Sequence, residues 1–456
     1  MNHAKMFVVA DIIARRERQK GSNVFFPIAM HYSGNTAQKT AGVFSSLFLK
    51  SEDEYSVEEK NIFNLYHNIY GTPELTLRSF TKPLNILDFY SQEILEELHG
   101  LDVSCDSDYL YTTKDKDFYE FIKVIISLYQ EKGLLVKNAN NDLALDYNNN
   151  NWRQKVLELL DNLEFIQPFQ KNNIKSAMAN VRNDWPLLRK TGFGVVYDDN
   201  WIVDPMFDSE IFTVFDIYAR FRKFYPSQTT NVSLFFQKLF RVLAKQEESS
   251  DDFINQILDF LPCNVFISEE HLKNWIVKKL YAESALLSKE FQTEKFFVLG
   301  MGFLDGKHMS ASKGHAILAK DLIRDYGSLR ARLIILLGGG HPSKMYEYDK
   351  NLPAQANRLL AEFYKHFSYL ISIAGNEFML DNEQQTNPRI VIMSSEIEKN
   401  IEQGYYRQAI IELLSILPKK YKKNISNQDA KFLLLIYKKY SSILLPGLLD
   451  KNNLHG

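Results

Sequence analysis

The first thirty residues carry the clearest pattern of apolar and polar positions in the chain. Residues 4–20 place apolar side chains three and four positions apart, the spacing of one helix face. Basic residues collect at the end of this segment, where cations favour the helix dipole, and Gly21 is typical of a helix stop. Residues 23–28 are almost continuously apolar, as in a strand buried on both faces. The pattern predicts the helix and second strand of a βαβ unit. Its first strand would precede residue 4, so we expect a shortened chain or another segment in that position.

Similar patterns recur further along the chain. Residues 118–132 predict an amphipathic helix, residues 263–267 and 296–301 predict buried strands, and residues 270–288 predict another helix. From about residue 318 onward the pattern is nearly all helical. We therefore expect an α/β fold with a Rossmann-like parallel sheet, followed by an α-helical bundle.

An asparagine-rich segment marks the expected domain boundary. Residues 137–151 contain seven asparagines, which are too polar to pack, so we interpret this segment as a loop or the remainder of a deleted insertion. We expect the following domains: residues 1–136, the first half of the Rossmann-like domain with a helical insertion; 137–184, a shortened connecting segment; 185–325, its second half; and 326–456, the bundle.

Composition narrows the class of protein only a little. With 456 residues, 45% of them hydrophobic, the chain can bury large cores, which excludes a disordered tail or a disulfide-stapled mini-protein. Its 54 basic and 56 acidic residues nearly balance, so nucleic-acid contact would need a local patch. Two cysteines indicate a reducing compartment, so we expect a cytoplasmic protein, and the lack of an apolar run of about 20 residues predicts no membrane anchor. We also expect no DNA partner.

Six segments occur in a recognisable order: HAKMFVVADIIARRERQKGSNVFFPIAMHYSGN, FTKPLNILDFY, TTKDKDFYEFIKVIISLYQEKGLLVKNAN, NDWPLLRKTGFG, DPMFDSEIF and GKHMSASKGHAI. Together they resemble class I aminoacyl-tRNA synthetases, specifically the archaeal and eukaryotic type of leucyl-tRNA synthetase. The resemblance is collinear over most of residues 1 to about 340. It implies that the protein uses ATP and Mg²⁺ to convert leucine or a similar amino acid into an aminoacyl-adenylate. The acyl group would then pass to tRNA or, alternatively, to a small amine or carrier.

The resemblance also assigns roles to individual positions. The amino-acid pocket would contain the substrate-binding residues His31, Tyr32, Ser33, Gly34, Asp208 and Ser209. One of the family's two phosphate-binding histidines would remain, as His3. The last segment would be the KMSKS loop, in which the catalytic residues are Lys307, His308, Ser310, Ser312 and Lys313. Further ATP contacts would come from Met309, Gly314 and His271.

Each of these positions also has a simpler, purely structural interpretation. Residues 31–34 could form an ordinary strand-to-loop exit, His3 could belong to a disordered terminus, and residues 307–315 could be a retained but inactive loop. A basic and aromatic cluster in the bundle suits RNA, or else consists of solvated lysines on its outer face. The cluster comprises Lys419, Lys420, Tyr421, Lys422, Lys423, Tyr437, Lys438, Lys439 and Tyr440.

Three departures from the family pattern concern the ATP site. The chain begins at residues 1–3, so the first of the two histidines is missing. Ala311 stands where the family has the second lysine of KMSKS, although Lys307 and Lys313 flank the loop. Residues 269–271, Glu-Glu-His, stand where the family has a glycine-x-aspartate that contacts the ribose. Each change weakens the binding of a polyanion, because it removes a cation or adds acids.

Two further modules of the family would be absent. Only residues 141–182 connect the segments between which the family carries its editing domain, so hydrolytic proofreading is not expected. The chain also stops within what would be the anticodon-binding bundle. The sequence therefore leaves two hypotheses: an adenylate-forming ligase without editing, or a catalytically impaired synthetase paralogue that binds tRNA, an amino acid or a protein.

Overall fold

The computed structural model describes residues 2–165, 168–181, 185–198, 201–310, 313–375 and 387–450. The chain divides into two units by its internal contacts. The central unit comprises Phe25–Glu93 and Cys105–Val298, and the terminal unit comprises Met1–Val24, Ile94–Ser104 and Leu299–Gly456. Within the described ranges, no helix combines the length and the apolar character needed to cross a bilayer.

The central unit contains short strands among many helices. Its helices are α2 (Asn35–Leu47), α3 (Val57–Phe63), α4 (Glu74–Leu77), α5 (Pro83–Gly100, ending in the terminal unit), α6 (Lys116–Glu131), α7 (Asn150–Asn162), α8 (Phe169–Ala179), α9 (Phe212–Phe221), α10 (Val232–Leu243), α11 (Asp252–Leu258) and α12 (Trp275–Leu286). Its strands are β1 (Ala29–Met30), β2 (Tyr111–Thr112), β3 (Leu135–Lys137), β4 (Leu143–Leu145), β5 (Glu164–Phe165), β6 (Leu188–Arg189), β7 (Val196–Asp198), β8 (Trp201–Val203), β9 (Asn264–Ser268) and β10 (Lys295–Leu299).

Parallel pairs bring the main strands of the central unit together. β1 pairs with β2 in parallel, with Ala29 opposite Tyr111. β10 lies between β5 and β9 and runs parallel to β5. Three other pairs are antiparallel: β3 with β4, β8 with β6, and β8 with β7. Parallel pairs joined through helices agree with the predicted α/β class.

Helix α6 shows how the sequence builds this core. The Asp115 carboxylate caps the helix by accepting from the Asp117 N–H. Phe121 is fully buried, with ring centroids 5.4 Å from Phe215 and 4.9 Å from Phe236. Because aromatic rings bury large apolar areas, this cluster is a major source of stability for the central unit. The helix predicted over 118–132 is confirmed.

The terminal unit is mostly helical, as the pattern beyond residue 318 predicts. Its helices are α1 (Asn2–Gln19), α13 (Ala319–Tyr326), α14 (Ser328–Leu337), α15 (Leu352–Ala374), α16 (Pro388–Glu402), α17 (Tyr406–Ile411), α18 (Leu417–Lys420) and α19 (Asn427–Leu444). Its small sheet is formed by β11 (Gly302–Leu304), β12 (Lys307–His308) and β13 (Tyr346–Glu347), with β11 in the middle.

A buried ion pair links α1 to α14 in this unit. The Arg332 guanidinium is fully buried and donates to Asp11 Oδ2 at 2.5 Å. It also donates to the Leu444 and Leu101 carbonyl oxygens, at 2.9 and 3.0 Å. Arg15 donates to the same Asp11 oxygen at 2.8 Å. Every buried charge in this group therefore has a partner, as a low-dielectric interior requires.

The strand predicted at residues 23–28 is wrong. No strand forms there; β1 begins at Ala29 and contains two residues. The reason is a contact with a distant segment, because the Phe26 N–H donates to Asp106 Oδ2 at 2.7 Å and the Phe26 carbonyl accepts from the Asp106 N–H at 2.8 Å. Pro27 offers no N–H for a strand partner. The two strands predicted later in the chain are confirmed, as β9 and β10.

Two other expectations need correction. The asparagine run at the end of residues 137–151 is not all loop, because α7 starts at Asn150 and the Asn149 side chain caps it by accepting from the Trp152 N–H. Asparagine is a favoured capping residue, so the polar run begins a packed helix. The helix predicted from residue 270 begins at Trp275, after a separate turn at Glu269–His271.

Candidate functional site

The parallel pair β1–β2 positions the first candidate residues. Thr113 follows β2, and its N–H donates to the Met30 carbonyl at 3.1 Å. Its hydroxyl accepts from the Tyr32 N–H at 2.9 Å. These two hydrogen bonds fix the chain as it leaves the carboxyl end of β1, which is the edge at which α/β sheets carry their ligand sites. His31 to Gly34 follow directly from that edge.

Glycines allow the loop at residues 192–194 to approach residues 31–34 closely. The Gly34 N–H donates to the Phe193 carbonyl at 2.8 Å, and Gly34, at φ 111°, precedes α2. A Cβ on Gly194 would lie 2.4 Å from the Ser33 hydroxyl, and one on Gly192 would lie 2.5 Å from the Asn35 side-chain oxygen. Both glycines also have positive φ. The loop can therefore contact the candidate site only with glycine at these positions.

Asp208 joins the two segments of the predicted amino-acid pocket. Its Oδ1 lies 2.6 Å from His31 Nε2, and its Oδ2 accepts from the Ser33 hydroxyl at 2.9 Å. The Asp208 side chain is fully buried, whereas 42% of the His31 side chain is exposed. The structure thus brings together three residues that the sequence singled out, across 177 positions of the chain between His31 and Asp208.

This arrangement shifts the pKa of both ionisable groups. Burial raises the pKa of Asp208, and the bond to His31 only partly offsets that effect. Burial opposes the charged form of His31, but the hydrogen bond and the negative charge of Asp208 outweigh it and raise the pKa of the imidazole. The pair can therefore hold or release a proton beside an open face of the central unit.

Tyr32 and Ser209 make other contacts. The Tyr32 hydroxyl donates to Asp88 Oδ1 at 2.7 Å, and burial raises the pKa of this phenol to about 12. The Lys114 ammonium lies 4.6 Å from the centre of the Tyr32 ring. The Ser209 hydroxyl donates to the Met206 carbonyl at 3.0 Å and accepts from the Trp275 indole at 3.1 Å. Ser209 thus connects the Asp208 segment to the start of α12.

A buried carboxylate lies two positions after Asp208. Both side-chain oxygens of Glu210 lack a hydrogen-bond partner among the described residues. Glu210 lines a cavity of about 10 Å³ together with Lys278, Asp204 and Trp185, enough for about one water molecule. Burial raises the pKa of Glu210 to about 8 and lowers that of Lys278. Lys279 on the same helix is instead fully paired, 2.9 Å from Glu283 Oε1.

The loop predicted to contact ATP lies in the terminal unit. Lys307 and His308 form β12, which pairs antiparallel with β11, and the His308 ring lies 4.2 Å from the Phe303 ring. Ser310 forms backbone hydrogen bonds with His315 in both directions, at 2.7 and 3.0 Å. The exposed residues are Lys307, His308, Lys313 and Gly314, while Met309 is buried. Ser312 and Ala311 lie outside the described residues.

The two remaining predicted ATP contacts are in separate elements. His3 is exposed in the first turn of α1. His271 ends the turn after β9, with Nε2 3.7 Å from Glu270 Oε1. In the described part of the chain, histidines, cysteines and acids do not gather in threes as a metal site would need.

Two of the three tyrosines in the basic and aromatic cluster of the bundle are hidden from solvent. Tyr437 and Tyr440 are almost fully buried, and the Tyr437 hydroxyl lies 2.7 Å from His366 Nδ1. Lys439 pairs with Glu398 at 2.9 Å and Lys419 with Glu362 at 3.3 Å. These two rings are unavailable for stacking on bases, which favours the interpretation of solvated lysines on an outer face.

Sequence reasoning missed several residues that shape the site. Trp275, Glu210 and Lys278 lie on or beside elements that the pattern predicted, but their contacts depend on tertiary neighbours. Gly192 and Gly194 did carry a signal, because two closely spaced glycines often mark a close backbone approach.

Comparisons with known proteins show what the chain is similar to in sequence and in fold. No family model matches the chain. It is similar to leucine–tRNA ligase of Methanopyrus kandleri, 34% identical over 140 residues, which are 31% of this chain and 14% of that protein. It is 27% identical over 252 residues to leucine–tRNA ligase 1 of Sulfolobus acidocaldarius, covering 53% of this chain and 26% of that protein. The matched part of the chain thus spans 14% and 26% of the length of these two relatives.

Solved structures resemble nearly the whole chain. Mycobacterium tuberculosis methionyl-tRNA synthetase bound by methionyl-adenylate matches with a TM-score of 0.61 and 12% identity, over 98% of this chain and 89% of that one. A second structure of that protein in complex with methionyl-adenylate matches with a TM-score of 0.63 and 14% identity, over 98% and 88%. The predicted fold is therefore confirmed.

Proposed function

We propose that this homologue of archaeal leucyl-tRNA ligases, which has the class I aminoacyl-tRNA synthetase fold, activates an amino acid with ATP. The product would be an aminoacyl-adenylate, with Mg²⁺ entering as the counter-ion of the triphosphate. The acyl group would then pass to tRNA or another acceptor, without editing. Leucine or a similar amino acid is the expected substrate.

One observation carries this proposal. His31, Ser33 and Asp208 come from distant parts of the sequence, and they meet as one hydrogen-bonded group at the carboxyl end of β1. A buried carboxylate there can bind the ammonium group of an amino acid, directly or through Ser33. An arrangement that served only to fill the core would not leave His31 partly exposed.

A second candidate function is a synthetase paralogue without catalysis that binds tRNA, an amino acid or a protein. The composition of the loop at residues 307–315 favours this second function, because His308 and Ala311 stand where the family has lysines. Removing a fixed charge that meets developing charge in the transition state costs about 2.7–4 kcal/mol per donor, or roughly 10²- to 10³-fold in rate. A loop with both changes would support little adenylation.

The test is exchange of labelled pyrophosphate into ATP, driven in turn by each standard amino acid. We expect exchange with one aliphatic amino acid, abolished in Asp208→Asn and retained in Asp161→Asn, an exposed acid that pairs with Lys175. The double variant His308→Lys/Ala311→Lys should raise the rate, and His308→Gln/Ala311→Ser should not. Silence of the folded parent and of the lysine variant would establish the paralogue without catalysis.

A further inference from the structure

The His31 imidazole is held by one nitrogen only. Nε2 faces Asp208 Oδ1 at 2.6 Å, and Nδ1 has no hydrogen-bond partner within the described part of the chain. Since 42% of the side chain is exposed, this second nitrogen is open to a molecule that binds at the site.

Asp208 and Ser33 fix the orientation of this ring. The carboxylate is fully buried, and its second oxygen accepts from the Ser33 hydroxyl at 2.9 Å, so it cannot rotate away from His31. When Asp208 is ionised, it accepts the proton on Nε2, which leaves the lone pair on Nδ1. A buried carboxylate that holds one imidazole nitrogen prepares the other to accept a proton.

Few charges act on this pair. Asp208 is the charged group that acts on His31, and the neighbouring carboxyl groups of Asp204 and Glu210 interact with Asp208. Asp204 is itself paired with Arg189. The proton-accepting tendency of His31 is therefore set by Asp208, which raises the pKa of the ring.

We propose that His31 Nδ1 is the general base for acyl transfer, accepting the proton of the nucleophile that attacks the acyl carbonyl. The nucleophile is an N–H or O–H group, from an amine or from a ribose hydroxyl. Its lone pair forms the new bond to the carbonyl carbon while its proton passes to Nδ1. The bond from that carbon to the phosphate oxygen breaks, AMP leaves with the electron pair, and His31 later returns the proton to water. Asp208 and Ser33 are positioning residues in this step.

This proposal rests on the proposed function only in that an aminoacyl-adenylate occupies the site. Its test therefore supplies chemically synthesised leucyl-adenylate to the full-length chain, so that activation is not required. One arm adds methylamine and the other adds adenosine, and the acylated products are measured by mass spectrometry after subtraction of the uncatalysed reaction. A product in either arm identifies the acceptor class.

His31→Gly should lose roughly 10²-fold or more of the catalysed rate, a typical contribution of a general base. Added imidazole should restore part of that rate, and substituted imidazoles should restore it in the order of their basicity. The matched control is His67→Gly, in the same unit, where the ring contacts the Thr72 carbonyl at 3.0 Å. Imidazole should not change the rate of that variant.

A second set of variants is compared by the pH dependence of the transfer rate instead of by rescue with imidazole. The parent rate should rise with pH through the titration of His31, and Asp208→Asn should move that rise to lower pH because the negative charge is gone. His31→Gln keeps an amide donor for Asp208 but cannot titrate, so its profile should lose the rise. Ser33→Ala keeps the negative charge of Asp208, so it should not move the rise to lower pH.

Several outcomes would overturn the inference. These are a parent that does not accelerate transfer from the adenylate, a His31→Gly variant that no imidazole restores, and a His31→Gln variant that keeps the rise with pH. Pyrophosphate exchange without histidine-dependent transfer would reject the base and leave the proposed activation intact. The reverse result, histidine-dependent transfer from supplied adenylate without exchange, would reject activation and support the base.

Discussion

Replacing Glu210 by glutamine is expected to stabilise the central unit, and increasingly so as pH rises. The parent carboxylate is buried beside Lys278 and Asp204, and neither of its oxygens has a hydrogen-bond partner among the described residues. Burial without a partner penalises the charged form, so the side chain keeps its proton in the folded protein. Glutamine has the same shape and never ionises.

The linkage between protonation of Glu210 and folding gives the size of this stabilisation. The folded pKa of Glu210 is about 8, against an ordinary value of 4.5. A folded pKa above the unfolded one contributes stability that is complete below the unfolded pKa and is lost as pH rises through the folded one. At about pH 7 the unfolded carboxylate is ionised and the folded one is not, which costs the parent about 3 kcal/mol. Glutamine avoids this loss.

Tryptophan fluorescence measures the effect selectively. All four tryptophans of the chain, at positions 152, 185, 201 and 275, belong to the central unit, so urea unfolding followed by their emission reports on that unit. The experiment compares parent and variant in a series from about pH 5 to about pH 8. The difference in free energy of unfolding should grow across the series by about 2 to 4 kcal/mol.

Glu283→Gln is the matched control. Glu283 is equally buried, but it accepts from Lys279 at 2.9 Å and from the Thr293 hydroxyl at 2.6 Å. Losing one member of a buried ion pair costs about 3–5 kcal/mol, so this variant should be less stable than the parent at every pH. The reasoning is refuted if Glu210→Gln also destabilises, or if its effect is the same at both ends of the series.

Three shorter predictions concern other parts of the chain. Arg332→Met should lower the free energy of unfolding of the terminal unit by about 3–5 kcal/mol, measured by hydrogen exchange, because its buried carboxylate partner loses its main cation; an unchanged protection pattern would contradict this. Gly194→Ala should weaken amino-acid binding, measured by calorimetry, because the new Cβ meets Ser33, while Gly21→Ala, with nothing within 4 Å, should leave affinity unchanged. Asn149→Ala should cost about 1 kcal/mol in the fluorescence assay by removing the α7 cap, and a loss below a few tenths would argue against the cap.

Local pattern alone determined the helices with continuous apolar stripes and several of the strands. The helix at 118–132 and the strands β9 and β10 form where the sequence predicts them, because side-chain period and capping residues act within one element. The order of the six motifs likewise predicted the class I fold, since it depends only on which residues occur and in what sequence.

The tertiary structure decided what each polar group meets. Residues 23–28 have the sequence pattern of a strand, but both backbone groups of Phe26 form hydrogen bonds with Asp106. The residues next to Phe26 in the sequence do not indicate that partner. Apolar periodicity likewise did not reveal that Asp208 would reach His31, or that Glu210, two positions later, would be buried without a hydrogen bond. The physical reason is that periodicity records which side chains avoid water, whereas hydrogen bonds and pKa values depend on distances between segments far apart in the chain.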